Sequence, residues 1–216
     1  MKNTELLFIL DRSGSMGGLE TDTIGGFNAT LMQQKELPGK VRVSTLLFNQ
    51  ATEVLHDRID LEDIHPLTEK EYYVGGSTAL YDAVVIGIQK VAKAQSQTRK
   101  EARAEKVIVV ITTDGYENAS HFYGQADAKR AIDTKTEEGW EFIFLGANID
   151  AVATARSIGI HEKNSSDFMP DQPGVTLQYN SLNLAINSIR EKGKLDADWK
   201  RDLERDMRRK PKASKN

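Results

Sequence analysis

The sequence predicts an α/β domain built on a doubly wound, mostly parallel sheet of about six strands with one antiparallel edge strand. Three observations carry this expectation. Leu6–Leu10 and Val107–Ile111 are short, wholly apolar runs bounded by polar residues, the pattern of strands buried on both faces in a parallel sheet. Segments with helical spacing follow each of them, which gives the alternation of βαβ units. Val41–Phe48 and Thr52–Ile59 are joined by the turn-like Asn49-Gln50 and read as a hairpin, which supplies the antiparallel edge strand.

Taken in order, Ile24, Phe27, Leu31 and Met32 fall at helical spacing and make one apolar face, which ends before the stop signal Pro38-Gly39. Gly25-Gly26 inside that helix costs about 1 kcal/mol per glycine relative to alanine, which implies a close approach there. After the hairpin, Leu61–Val74 contains Pro66 and little periodicity and reads as a loop with a short helical turn. Gly75-Gly76-Ser77-Thr78 precedes a helix from about Ala79 whose face includes Leu80, Val84, Gly87, Ile88 and Val91. Gln95–Lys106 is polar and reads as a solvated helix end and loop. Beyond the Val107–Ile111 strand, a polar helix covers roughly Gly124–Glu138, with Gly139 in the position that ends helices in left-handed conformation. Trp140–Leu145 is the next strand, and Asp150 is an N-cap for a helix reaching Ile158. Ser166–Met169 reads as a short last strand and Val175–Ile189 as the final helix.

Composition narrows the function. The 216 residues suffice for one such domain, with 39% hydrophobic and 28% charged residues, as in a globular protein. A net charge of -3 argues against nucleic acid as the main partner. Without cysteine there is no disulfide framework, thiolate zinc site or cysteine nucleophile. The first apolar run is too short for a signal-peptide core and no run approaches a membrane span, so the expectation is a cytoplasmic protein with no membrane partner. Residues 1–190 read as the domain and 191–216 as a charged C-terminal helix and basic tail. In the tail Leu195, Trp199, Leu203 and Met207 recur every four residues, a stripe that either packs back on the domain or docks a partner helix. Arg208-Arg209-Lys210-Pro211-Lys212 reads as a disordered basic run.

The residues that carry chemistry stand at strand ends. Asp11-Arg12-Ser13-Gly14-Ser15 follows the first strand and Thr112-Thr113-Asp114-Gly115 the Val107–Ile111 strand. In open α/β sheets ligands bind in the crevice outside the carboxyl ends of the strands. Asp11, Ser13 and Ser15, two residues apart along a turn, can offer three oxygens to one hard cation, and oxygen-only ligation suits Mg²⁺, Mn²⁺ or Ca²⁺. Each of Asp11, Ser13 and Asp114 taken singly also fits a helix cap.

Together, Asp-Arg-Ser-Gly-Ser, Gly-Gly-Ser-Thr-Ala-Leu-Tyr-Asp-Ala and Thr-Thr-Asp-Gly, in this order and after strands, resemble the three loops of the metal-ion-dependent adhesion site of von Willebrand factor A domains, which have a Rossmann-like fold. The resemblance covers about Leu6–Ile189. Asp22–Asn28, Thr113–Ser120 and Phe144–Ala151 further resemble small stand-alone bacterial and phage members. The family implies that Ser13 and Ser15 bind the ion through their hydroxyls, Thr78 directly or through water, and Asp11 and Asp114 largely through bound waters. Thr78 is preferred to Ser77 because Thr-Ala-Leu-Tyr aligns with the family pattern. Such a site leaves one coordination position open for an Asp or Glu of a partner protein. Mg²⁺, which retains waters readily, is the ion implied, with Mn²⁺ or Ca²⁺ as alternatives. Gly14 and Gly76 would let backbone approach the ion. Asp82, one turn past Thr78, is a candidate to orient the loop. Glu117 either adds charge near the ion or faces solvent, and His121 reads as an exposed loop histidine.

Two function classes follow. The resemblance implies a non-enzymatic, metal-dependent protein-binding module for adaptor or assembly work. The alternative is an enzyme using the same ion for phosphoryl transfer or hydrolysis. Against the enzyme, the sequence has no Walker-type glycine loop, no Gly-x-Gly-x-x-Gly after a strand, and no Asp-x-Asp pair placing a nucleophile next to a general acid in the first motif, where Ser13 stands in place of the second carboxylate. The partner's identity and the oligomeric state stay open.

Overall fold

A computed structural model describes residues 3–209 of the chain. Its sheet has six strands: β1 (Thr4–Asp11), β2 (Val41–Phe48), β3 (Thr52–Asp60), β4 (Lys106–Thr113), β5 (Glu141–Gly146) and β6 (Ser165–Asp167). They lie in the order β3-β2-β1-β4-β5-β6. Every neighbouring pair is parallel except β2 with the edge strand β3, so both the strand count and the antiparallel edge agree with the sequence reading. The helices are α1 (Glu20–Lys35), α2 (Leu80–Gln97), α3 (Gln125–Glu137), α4 (Ala151–Ser157), α5 (Gln172–Lys192) and α6 (Arg201–Arg209).

The central strand explains why two layers of helices form. All eight residues of β1 are buried. Because successive side chains point to opposite faces, Leu6, Phe8 and Leu10 enter a core shared with α1, α5 and α6. Leu7 and Ile9 enter a second core on the other face, against α2, α3 and α4. Phe8 meets Phe27 of α1 edge to face with ring centroids 5.1 Å apart. The sheet reverses its direction of growth between β1 and β4, and the crevice above that switch point is where doubly wound folds bind ligands.

Some local expectations shift. Met32 is 69% exposed, so the predicted face of α1 is wrong there. The buried face instead runs through Thr23, Phe27, Thr30, Leu31 and Gln34. Polar residues take core-facing positions because α5 supplies their partners: Asn183 Nδ2 donates to Thr30 Oγ1 at 3.2 Å, and Gln34 Nε2 donates to Asn187 Oδ1 at 2.6 Å. Arg190 on α5 completes the seam by donating to the Gln34 carbonyl at 2.9 Å, at the carbonyl-rich end of α1. Gly26 is explained by Tyr179, whose ring would lie 2.0 Å from a Cβ placed there. The last strand spans Ser165–Asp167 rather than Ser166–Met169. Gly139 adopts φ +89° after α3, and Asp150 accepts from the Ala153 N–H at 2.8 Å as the N-cap of α4, both as the sequence implies.

From residue 191 the chain completes α5 to Lys192, ends it at Gly193 in left-handed conformation, and becomes helical again only at Arg201. Trp199 (2% exposed) and Leu203 (1%) are buried in the α1/α5 core, and Leu195 packs against it. Trp199 Nε1 also donates to the Lys163 carbonyl at 2.9 Å. The stripe therefore packs back on the domain, with Met207 at its exposed end. Of the basic run, Lys210–Lys212 lie outside the described residues. No helix among the described residues is long and apolar enough to cross a membrane.

Candidate metal site

Three loops meet above the switch point, and each is placed by the strand it leaves. Asp11 is the last residue of β1; its Oδ1 accepts from the Ser13 N–H at 2.7 Å, which turns the chain into the short 3-10 turn Gly14–Met16. Its Oδ2 accepts from Thr113 Oγ1, at the end of β4, at 2.6 Å. Ser13 and Ser15 bring their hydroxyls to 3.0 Å of each other. Ser15 Oγ donates to Asp114 Oδ1 at 2.5 Å. Thr78 arrives from the second loop: a Cβ on Gly115 would lie 3.0 Å from Thr78 Oγ1 and 3.0 Å from Ser15 Oγ, so both hydroxyls face the same point of the third loop. The structure thus brings Asp11, Ser13, Ser15, Thr78 and Asp114 into one cradle. Asp11, Ser13, Thr78 and Asp114 are buried, whereas Gly14, Ser15 and Gly76 are exposed and form the mouth.

The electrostatics of the cradle are unbalanced. Asp11 is 1% and Asp114 2% exposed. Burial pushes the Asp11 carboxyl up to about 6, against the pull of the hydrogen bonds from Thr113 and Ser13, and the neighbouring Asp114 raises it further. Burial likewise raises Asp114, against the hydrogen bonds that its carboxyl receives from Ser15 and, more weakly, from the Asn148 side chain. Among the described residues neither acid has an ion-pair partner, and Asp114 Oδ2 is buried with no hydrogen-bonding partner. An acceptor oxygen left unpaired in this way is costly. Two desolvated carboxylates and three hydroxyls form an all-oxygen donor set that fits a hard divalent cation, which would supply the missing positive charge.

The glycines and the outer carboxylates make specific contacts between the loops, with Asp82 in the loop-orienting place the sequence offered it. Gly14 and Gly76 bring two loops together: the Gly14 N–H donates to the Gly76 carbonyl at 2.9 Å, and Gly76 holds φ +79°. A Cβ on Gly14 would press on that carbonyl at 3.3 Å. Asp82 accepts from the N–H groups of His121, Phe122 and Tyr123 at 2.9, 3.1 and 2.8 Å, so it orients the third loop. Glu117 neither faces solvent freely nor adds a bare charge. Its carboxylate accepts from the N–H groups of Ala119 and Ser120 at 2.9 and 2.7 Å and from the Tyr81 N–H at 3.1 Å. Ala79, the N-cap residue of α2, gives it no side-chain cap. Glu117 and Ser120 Oγ, which accepts from the Asp82 N–H at 3.1 Å, cap it from the third loop instead.

Other residues of the site went unnamed in the sequence. Thr113 stands beside Asp114 in the quoted motif, and its place as the last residue of a buried strand was the available signal. Asn118 Oδ1 accepts from the Thr78 N–H at 2.8 Å, and Asn49 Nδ2 donates to the Gly75 carbonyl at 3.0 Å. Tyr72, buried in the aperiodic segment, donates its hydroxyl to the Asp11 carbonyl at 2.5 Å.

A doubly wound sheet whose switch point carries an oxygen-lined cradle between three loops defines a class of α/β domain with its site built from strand ends. The chain belongs to the von Willebrand factor type A domain family, whose sequence model matches residues 5–174. Among solved structures it is similar to a D319A mutant of the PilB minor pilin from Streptococcus sanguinis, with 12% identity, a TM-score of 0.60, and coverage of 86% of this chain and 62% of that one. It is similar to manganese-loaded TRAP protein of Plasmodium vivax, with 18% identity, a TM-score of 0.55, and coverage of 81% and 71%. It is also similar to proximal thread matrix protein 1 from the mussel byssus with a zinc-occupied MIDAS motif, with 12% identity, a TM-score of 0.56, and coverage of 84% and 45%. At these identities the likeness concerns the fold. The chain spans about three fifths of the pilin and less than half of the mussel protein. No protein of curated function matches the sequence.

Proposed function

We propose that this domain is a metal-dependent protein-binding module, and not an enzyme. A divalent cation, Mg²⁺ first among the candidates, would be held by the hydroxyls of Ser13, Ser15 and Thr78 with Asp11 and Asp114 close by. Its remaining coordination position would face the mouth at Gly14, Ser15 and Gly76, where an Asp or Glu of a partner protein completes the shell. The observation that carries this reading is the buried, unpartnered Asp114 Oδ2 beside the equally buried Asp11, two acids with no cation of their own. Two of the similar structures, manganese-loaded in one case and with a zinc-occupied MIDAS motif in the other, add support for a divalent ion. Mostly neutral donors leave the ion electrophilic toward an incoming carboxylate. Adaptor or assembly work is the role this chemistry suits.

Thermal unfolding of the wild type and of Asp11→Ala, each in EDTA and in millimolar Mg²⁺, tests it. An ion at 100 times its dissociation constant adds about 2.7 kcal/mol, or roughly 5–10 °C for a domain of this size. A rise confined to the wild type supports the site. No rise in either protein, together with no Mg²⁺-dependent binding of carboxylate-bearing peptides, removes it.

A further inference from the structure

Three aromatic side chains stand exposed on the segments that build the metal site: Tyr73 (55%), Tyr116 (59%) and Phe122 (81%). The side chains of Tyr73 and Tyr116 and the backbone of Phe122 are held by neighbouring residues. Tyr73 lies just before Gly75-Gly76, with the Arg12 guanidinium 4.6 Å from its ring centroid. Arg12 is itself fixed by Glu53 at 2.7 Å. Tyr116 follows Asp114 by two residues, and its hydroxyl accepts from the Asp150 N–H at 3.2 Å. Phe122 sits on the loop that Asp82 grips through three successive N–H groups. Aromatic side chains on a pre-ordered backbone lose little entropy on binding and are the usual anchors of interfaces.

Charge narrows what they accept. Segments 13–19, 73–80 and 114–123 contain no lysine or arginine. Arg12, between them, is 4% exposed and committed to Glu53. A divalent cation with Asp11 and Asp114 sums to no net charge and Glu117 adds a further negative one on the third loop, so one carboxylate can be held by direct coordination to the ion while further acids find no cation.

Resting on the metal-dependent reading above, we infer that Tyr73, Tyr116 and Phe122 form an aromatic rim that selects a partner segment carrying a single Asp or Glu flanked by apolar side chains, and that rejects acidic runs. The carboxylate supplies the metal bond, and its apolar neighbours cover the rings.

The test uses the full chain immobilised in millimolar Mg²⁺ and a phage-displayed library of random linear peptides, eluted with EDTA. It is run in parallel on the wild type and on the Tyr73→Ala/Tyr116→Ala/Phe122→Ala variant. The wild type should enrich peptides with one acidic residue between apolar ones, and the triple variant should not. A synthetic peptide of the enriched type should bind Phe122→Ala, whose exposed ring carries no packing, about tenfold more weakly. Enrichment of acidic runs, or the same sequences from the triple variant, overturns the rim while leaving the metal reading standing. Failure of EDTA to release any peptide overturns both. A Mg²⁺-dependent rise in melting temperature in the triple variant establishes that it is folded and loaded, so that lost selection reports on the rim.

Discussion

The two ends of β1 each bury one acid, and the structure treats them in opposite ways. Glu5 is 0% exposed near the amino end and Asp11 1% exposed at the carboxyl end. Glu5 receives Arg58 Nε at 2.7 Å and Nη2 at 3.0 Å, a bidentate pair, and Gln95 Nε2 at 2.5 Å. The chain bends to provide that cation. Arg58 sits at φ +53°, in the stretch where the β2–β3 register slips, and its N–H donates to Ser44 Oγ at 3.2 Å. Asp11 receives a hydroxyl and an N–H and no cation. One buried charge is neutralised within the fold, so that end is architecture. The other has no cation among the described residues, which is the feature the proposed metal site rests on.

The contrast can be broken at either end. The largest effect is expected for Arg58→Ala, which leaves Glu5 buried without its cation. Loss of one partner of a buried pair costs about 3–5 kcal/mol, so calorimetry should show a melting temperature lower by on the order of 10 °C, equally in EDTA and in Mg²⁺. Asp11→Ala should instead abolish the roughly 5–10 °C rise that Mg²⁺ gives the wild type. A smaller change of opposite sign sharpens the comparison further. In EDTA, Asp11→Asn removes a charge that burial disfavours and should stabilise the domain by about 1 kcal/mol, whereas Glu5→Gln destabilises it under the same conditions. Two changes of the same sign in thermal melts would show that the two acids are not of different kinds. Thr113→Val removes the hydroxyl that donates to Asp11 Oδ2 and also meets the Gly115 carbonyl and N–H, and should cost about 1 kcal/mol or somewhat more. Its effect on Mg²⁺ affinity by isothermal titration should be larger in proportion, about tenfold, because Thr113 orients Asp11.

The residues of the site also differ in how far local sequence marks them. Asp11, Ser13, Ser15, Thr78 and Asp114 lie in motifs that directly follow apolar strands, and the structure gathers them as the motifs imply. Thr113 shares a motif with Asp114, yet its hydroxyl serves Asp11, 102 residues away along the chain. Tyr72 lies 61 residues from Asp11 in a segment with no periodicity, and nothing local marks it. Glu117 was readable as a charge near an ion or as surface, but the capping of α2 requires knowing that the third loop passes its amino end.

By itself, the sequence determined the order and type of the strands, the parallel core with its antiparallel edge, and the oxygen-bearing residues at the strand tips. Burial on both faces of a strand is written in local composition, and a strand end is a local event. Only the tertiary structure decided that Thr30 and Gln34 face inward while Met32 faces out, that Trp199 and Leu203 close over the core, and that Gly14 and Gly76 fasten two loops to each other. It also decided that Glu5 has a cation and Asp11 has none. These outcomes depend on which hydrogen-bonding and charged partners arrive from distant segments, and neither hydrophobic periodicity nor motif spacing encodes that.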